Sequence, residues 1–211
     1  MENQKHFYMK LAENVIAQMA KRNIEGYYVN TKEEATMKAL SFLKEGMTIT
    51  WGGSMTLSQI GLLDALEKKG CYNLLDRSKV SSNEIPEIYR QAFSADTYLM
   101  SSNAITHSGE LVNIDGTGNR VAALIYGPKQ VIIIAGMNKI VTDEAAALDR
   151  IHNVTAPINA IRLNKKTPCA LTGKCHNCLS PDCICMQTVV TRNSRDKGRI
   201  KVILVGESLG Y

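Results

Sequence analysis

The chain of 211 residues has no apolar run long enough to cross a bilayer. Its clearest one, Val131-Ile-Ile-Ile-Ala-Gly-Met137, falls far short of the roughly twenty residues a spanning helix needs. The first ten residues, MENQKHFYMK, lack the apolar stretch of a secretory leader, so the cytoplasm is the expected compartment. Internal repeats and low-complexity stretches are missing. No Ser-His-Asp or Cys-His constellation can be read from the chain, and His107 sits in a turn with no nucleophile beside it. GTGNRV is not a dinucleotide fingerprint, because Val121 occupies the third glycine position. Cysteine is almost absent outside one segment: only Cys71 stands elsewhere, and it reads as a core residue.

What is present is ordinary in composition and uneven in layout. A content of 45% hydrophobic and 21% charged residues suits a soluble globular chain. The net charge is +5. Residues 162–201 hold nine Lys or Arg against Asp182 and Asp196, a local +7 that leaves −2 for the remainder. Such a segment suits nucleic acid or a negatively charged thiolate–metal centre. Without a recognition-helix signature or basic–aromatic interleaving, nucleic acid is the weaker reading.

Strand-like and helix-like stretches alternate. Tyr8, Leu11, Val15, Ile16 and Met19 are spaced for an amphipathic helix, and Ile24–Val29 reads as a strand. Thr31 and Glu34 form a capping-box pattern that opens a helix expected to end at Gly46. Met47–Trp51 is a strand, followed by a helical run from Ser54 to Lys69 that stops at Gly70. Cys71–Leu75 and Thr97–Ser101 are further strands, with a helix opened by Ser81 and Glu84 between them. Ala104–Thr106 should pair with Glu110–Ile114 across His107-Ser108-Gly109. Val131–Ala135 is a buried strand, Pro157 should interrupt the helix beginning near Thr142, and Ile200–Val205 closes the chain. This order predicts one α/β domain over residues 1–211 with a mostly parallel sheet flanked by helices. A Cys-rich excursion at about 165–190 precedes the last strand.

Three turns follow strands, where ligands collect in open α/β sheets. In Trp51-Gly-Gly-Ser-Met-Thr56, glycines let backbone approach an anion, while Ser54 either binds a ligand oxygen or simply caps the next helix. In Asn113-Ile-Asp-Gly-Thr-Gly-Asn-Arg120, Asp115 and Arg120 either meet a polar substrate or brace the loop as a pair. In Ala135-Gly-Met-Asn-Lys139, the lysine holds an anion, serves in acid–base work if desolvated, or is a plain surface residue.

The five clustered cysteines, in CALTGKCHNCLSPDCIC, are spaced C-x5-C-x2-C-x4-C-x-C. Cys175 and Cys178 form a CxxC knuckle, Cys183 and Cys185 a second pair, and Cys169 can complete four thiolates. In a reducing compartment this favours metal over disulfides. Zinc and a 4Fe–4S iron–sulfur cluster both take four thiolates, and the spacing does not choose between them.

SSNAITHSGELVNIDGTGNRVAALIYGPKQVIIIAGMNKIV, with WGGSMT before it and KGRIKVILVGESLGY at the end, resembles the LUD-domain proteins, the lactate-utilization family, over nearly the whole chain. The resemblance implies the fold of the ribose-phosphate isomerase, glucosamine-phosphate deaminase and CoA-transferase group. In that group small-residue turns hold phosphorylated or CoA-linked substrates. On this chain the implied pocket comprises Gly52, Gly53, Ser54, Thr56, Ser102, Asn103, Gly116, Asn119, Arg120 and Asn138, with Asp115 and Lys139 as catalytic candidates. Asp115 would take the acid–base role, while Lys139 and Arg120 would hold a small anionic metabolite. The family's cysteine segment implies Cys169, Cys175, Cys178 and Cys185 as metal ligands, with Cys183 spare. Its association with lactate oxidation implies iron–sulfur or flavin oxidoreductase subunits as partners; a homo-oligomer is a separate expectation that does not come from the resemblance. Two alternatives stand next to an organic-acid enzyme: a non-catalytic electron-transfer or assembly subunit, and a sugar-phosphate isomerase or CoA-transferase-like enzyme.

Overall fold

The structure, a computed structural model, describes residues 2–211. Helix α1 (Glu2–Ala20) buries Ala12, Val15 and Met19 and leads into β1 (Glu25–Val29). Helix α2 (Lys32–Leu40) starts where Thr31 Oγ1 accepts the Glu34 N–H, while Glu34 reaches back to the Asn30 N–H. It ends at Leu40, six residues before Gly46. After β2 (Thr48–Trp51) the expected long helix is two: α3 (Met55–Gln59) and α4 (Leu62–Lys69). Gly61, at φ +69°, breaks the run because only glycine enters that left-handed conformation without cost. Strand β3 (Asn73–Leu75) is shorter than expected, and α5 (Ile85–Gln91) leads to β4 (Thr97–Met100).

The second half begins with the hairpin β5 (Ala104–Thr106) and β6 (Leu111–Asp115), followed by α6 (Asn119–Ile125) and β7 (Gln130–Gly136). Strand β8 (Ile140–Val141) and helix α7 (Glu144–Arg150) come next. The interruption expected at Pro157 is a π-helical turn at Ile151–Thr155, in which the Ala156 N–H donates to the Ile151 carbonyl. Pro157 has no N–H to continue the regular ladder, and the widened turn carries the chain into α8 (Ala156–Arg162). Helix α9 (Pro168–Thr172) opens the cysteine segment, which returns as β9 (Gln187–Thr191) before β10 (Ile200–Val205). Strand β9 is absent from the sequence reading, because QTVVT is half exposed and its partner is remote.

Six strands form one parallel sheet in the order β1-β10-β7-β4-β2-β3. The run in β7 is continuous rather than alternating because both faces are covered. Val131 and Ile133 pack under α1 and α6, whereas Ile132 and Ile134 pack with Leu57, Leu62 and Leu66 of α3 and α4. A second sheet, β8-β5-β6-β9, carries a smaller core of Ala104, Val112, Ile114, Ala147 and Ile151. Among the described residues no helix is long and apolar enough to cross a membrane.

Candidate active site

The carboxyl ends of β2, β4, β6 and β7 open into a cavity of about 380 Å³. All three glycine-bearing turns reach it. Gly52, Gly53, Ser54, Thr56, Ser102, Asn103, Asp115, Gly116, Asn119, Arg120 and Lys139 line it; Asn138 does not. The Asn138 carboxamide oxygen instead accepts the Leu209 N–H at 3.0 Å and fastens the segment after β10. Ser54 caps α3, its Oγ accepting the Leu57 N–H at 3.4 Å.

Asp115 and Arg120 form the tightest polar cluster. Arg120 donates through Nε to Asp115 Oδ2 (3.1 Å), through Nη1 to the Ser101 carbonyl (3.2 Å) and Asn113 Oδ1 (2.9 Å), and through Nη2 to Asn103 Oδ1 (2.9 Å) and the Ile114 carbonyl (2.8 Å). A guanidinium has five N–H groups, and all five are engaged. The other Asp115 oxygen accepts the Thr117 and Gly118 N–H groups at 3.2 and 3.0 Å. With both oxygens bonded, this partly buried ion pair holds the β4, β6 and α6 ends together; the pair reads as a brace. Ser102 is likewise committed, donating to the Ala104 carbonyl at 2.9 Å.

Lys139 is different. Only 4% exposed, it extends its Nζ to Ser101 Oγ (2.9 Å) and Thr56 Oγ1 (3.1 Å), with no carboxylate partner among the described residues. Burial, reinforced by the positive charges of Arg150 and Arg120, pulls its pKa from 10.5 down to about 7. Arg150 is fixed there by the Asn138 and Asn103 carbonyls and Thr155 Oγ1, at 3.1, 2.8 and 2.7 Å. The π-helical turn supplies Thr155, which also lines the cavity.

The cavity rim is cationic, through Arg77, Arg162 and Lys165, against Asp182. None of these three cations was read from the sequence as a site residue. Arg77 follows β3, so the rule that sites gather at carboxyl ends of parallel strands would have found it. Its Nη1 donates to the Tyr89 hydroxyl at 2.8 Å, and its Nη2 lies so near Gly53 that a Cβ there would stand 2.5 Å away.

The cysteine segment forms one wall. Pro181, Asp182, Cys183 and Ile184 face the cavity; Ile184 packs on Gly116, and Asp182 accepts the Lys166 N–H at 2.8 Å. All six cysteines are free and partly buried. Burial, and then the nearby thiols of Cys183, Cys169, Cys175 and Cys178, push Cys185 up to about 12. Two backbone donors point at sulfur: Asn177 N–H to Cys175 and Cys185 N–H to Cys183, both at 3.4 Å. The thiol chemistry suits zinc or an iron–sulfur cluster. As arranged, however, no three His, Cys, Asp or Glu among the described residues converge on a metal-binding geometry. Ligation by Cys169, Cys175, Cys178 and Cys185 requires the segment to draw inward.

Among curated proteins no sequence matches this chain. Among solved structures the fold is similar to a DUF162 family protein from Deinococcus radiodurans, known from a crystal structure at 1.70 Å resolution. The two share 14% identity with a TM-score of 0.52 over 94% of this chain and 98% of that one, a likeness that speaks for the fold alone. The sequence profile of the LUD domain matches residues 12–205, and the chain belongs to the LUD domain family.

Proposed function

We propose that this LUD-domain protein binds a small anionic metabolite in the cavity and acts on it through Lys139, in organic-acid metabolism of the lactate type. The observation that carries this reading is the Lys139 amine, buried, uncompensated by any carboxylate and inside a cavity ringed by cations. A lysine near neutrality is suited to proton transfer, whereas an exposed one stays charged and inert. Asp115 is assigned a positioning role through Arg120. Arg77, Arg162 and Lys165 draw in the anion, and the size of the cavity favours a metabolite over a polymer. Calorimetric titration with lactate, pyruvate and small phosphate esters tests this. Saturable binding of one of them, weakened tenfold or more in Lys139→Met, is expected; no saturable binding by any small carboxylate or phosphate ester would overturn it.

A second reading, an electron-transfer or assembly subunit, is favoured by one observation: five cysteines share one segment, in which the Asn177 and Cys185 N–H groups point at the sulfurs of Cys175 and Cys183. Anaerobic purification, a visible absorption spectrum and metal and sulfide analysis of one sample test it. Bound iron with sulfide supports electron transfer, bound zinc an assembly role, and metal-free protein sinks this reading.

A further inference from the structure

We propose that Lys139 is a nucleophile, forming an imine with a small aldehyde or ketone that carries an anionic group. The inference deepens the metabolite-site reading and rests on it.

Hydrogen bonding at Nζ carries the argument. A neutral primary amine has two N–H donors and one lone pair, whereas an ammonium has three donors and no lone pair. Nζ meets two acceptors, Ser101 Oγ at 2.9 Å and Thr56 Oγ1 at 3.1 Å, and no carboxylate. Both donors of the amine are therefore satisfied, and the lone pair is the one feature of the nitrogen without a protein partner. Gly210 closes the site from another side, since a Cβ there would stand 3.1 Å from Nζ. In an ammonium the third N–H would take the place of that lone pair, on the side of the cavity from which a ligand enters. The geometry is that of an amine kept ready to attack.

The anionic group of the ligand follows from Arg77. Arg120 has no donor to spare, whereas Arg77 commits only Nη1, to Tyr89, and presents Nη2 against Gly53. Gly53 and Thr56 belong to one turn, three residues apart and so at most about 10 Å along the chain. A carbonyl beside Lys139 and an anion beside Arg77 thus share the one cavity that both side chains line.

The step balances without an oxidant or reductant. The Nζ lone pair forms the C–N bond, the carbonyl π pair moves to oxygen, and the two amine hydrogens leave with that oxygen as water. The Ser101 and Thr56 hydroxyls, which accept from those N–H groups, provide the route off nitrogen. Burial, holding the amine near neutrality at about pH 7, supports the same assignment.

Borohydride reduction tests this, since it converts an imine to a stable secondary amine. Wild-type protein is incubated with pyruvate or with dihydroxyacetone phosphate, reduced, weighed intact and mapped by peptide mass. One adduct per chain at Lys139 is expected, lost in Lys139→Met and formed at least tenfold more slowly in Arg77→Gln at subsaturating probe. Labelling by pyruvate assigns the anion as carboxylate, and labelling by the phosphate ester assigns it as phosphate; either supports the proposal. Adducts spread over surface lysines equally in wild type and Lys139→Met would overturn it. Calorimetry on the same probes separates the two failures: binding without trapping sinks the imine alone, and neither binding nor trapping sinks the metabolite site too.

Discussion

Replacing Lys139 by methionine keeps a long unbranched side chain and removes the amine, so it isolates one titration. In the folded chain the pKa is about 7, against 10.5 for an unperturbed lysine. Between these values the unfolded chain binds the proton that the folded chain has released. Wild-type stability therefore rises with pH across this window and is lost as pH falls through it; below about 7 the loss is complete. One pKa unit corresponds to about 1.4 kcal/mol, so the window spans roughly 5 kcal/mol and the step from pH 7 to pH 9 roughly 3. The charges that lower this pKa beside burial belong to Arg150 and Arg120, and the hydrogen-bond partners of Nζ are the hydroxyls of Thr56 and Ser101. Every other titrating group is common to both proteins, so their difference belongs to Lys139. In urea, followed by the fluorescence of the single tryptophan, Trp51, the Met variant should lead at pH 7 and lose roughly 1 M of its midpoint advantage by pH 9. Parallel pH profiles would refute the reasoning, since a lysine that ionises freely in the fold gives no difference.

Three further outcomes follow from the surroundings of Arg120, Gly53 and Gly136. Arg120→Lys keeps the charge but replaces a five-donor fork with one ammonium, leaving buried acceptors unmet; urea unfolding should show a loss of roughly 3–5 kcal/mol. Gly53→Ala meets only the end of the flexible Arg77 side chain, so it should leave the thermal midpoint nearly unchanged while weakening anion binding about tenfold by calorimetry. Gly136→Ala meets backbone, the Leu209 nitrogen at 2.5 Å and the Glu207 oxygen at 2.6 Å, and should cost roughly 3 kcal/mol or more in the same urea assay.

Much of the fold was legible because local pattern and tertiary demand agree in it. The β7 run and the Thr31 cap need no distant information to be recognised. Gly61 was missed because a glycine inside a periodic pattern is ambiguous until its φ is known. Strand β9 exists through its pairing with β6, some seventy residues earlier, which no local signal announces. At the site, the turns were readable but the division of labour was not. Asp115, Arg120 and Lys139 are equally plausible chemical groups in a string of letters. Five N–H bonds make Arg120 a brace, and the loss of water around Lys139 lowers its pKa to about 7. Arg77 was open to the strand-end rule, but Arg162 and Lys165 carry no such signature, and folding brings all three to one rim.

The position of β10 in the main sheet has a consequence for biosynthesis. Within the main sheet β1 pairs with β10 alone, although about 175 residues separate them in the chain. At ribosomal speeds of about 5–20 residues per second, β1 waits on the order of ten seconds or more for its partner. During that interval β7 also lacks its neighbour on one side, and the Ile-rich strand is an exposed template for other chains. Only when β10 is made does the strand slot between β1 and β7 fill and both inner edges become paired.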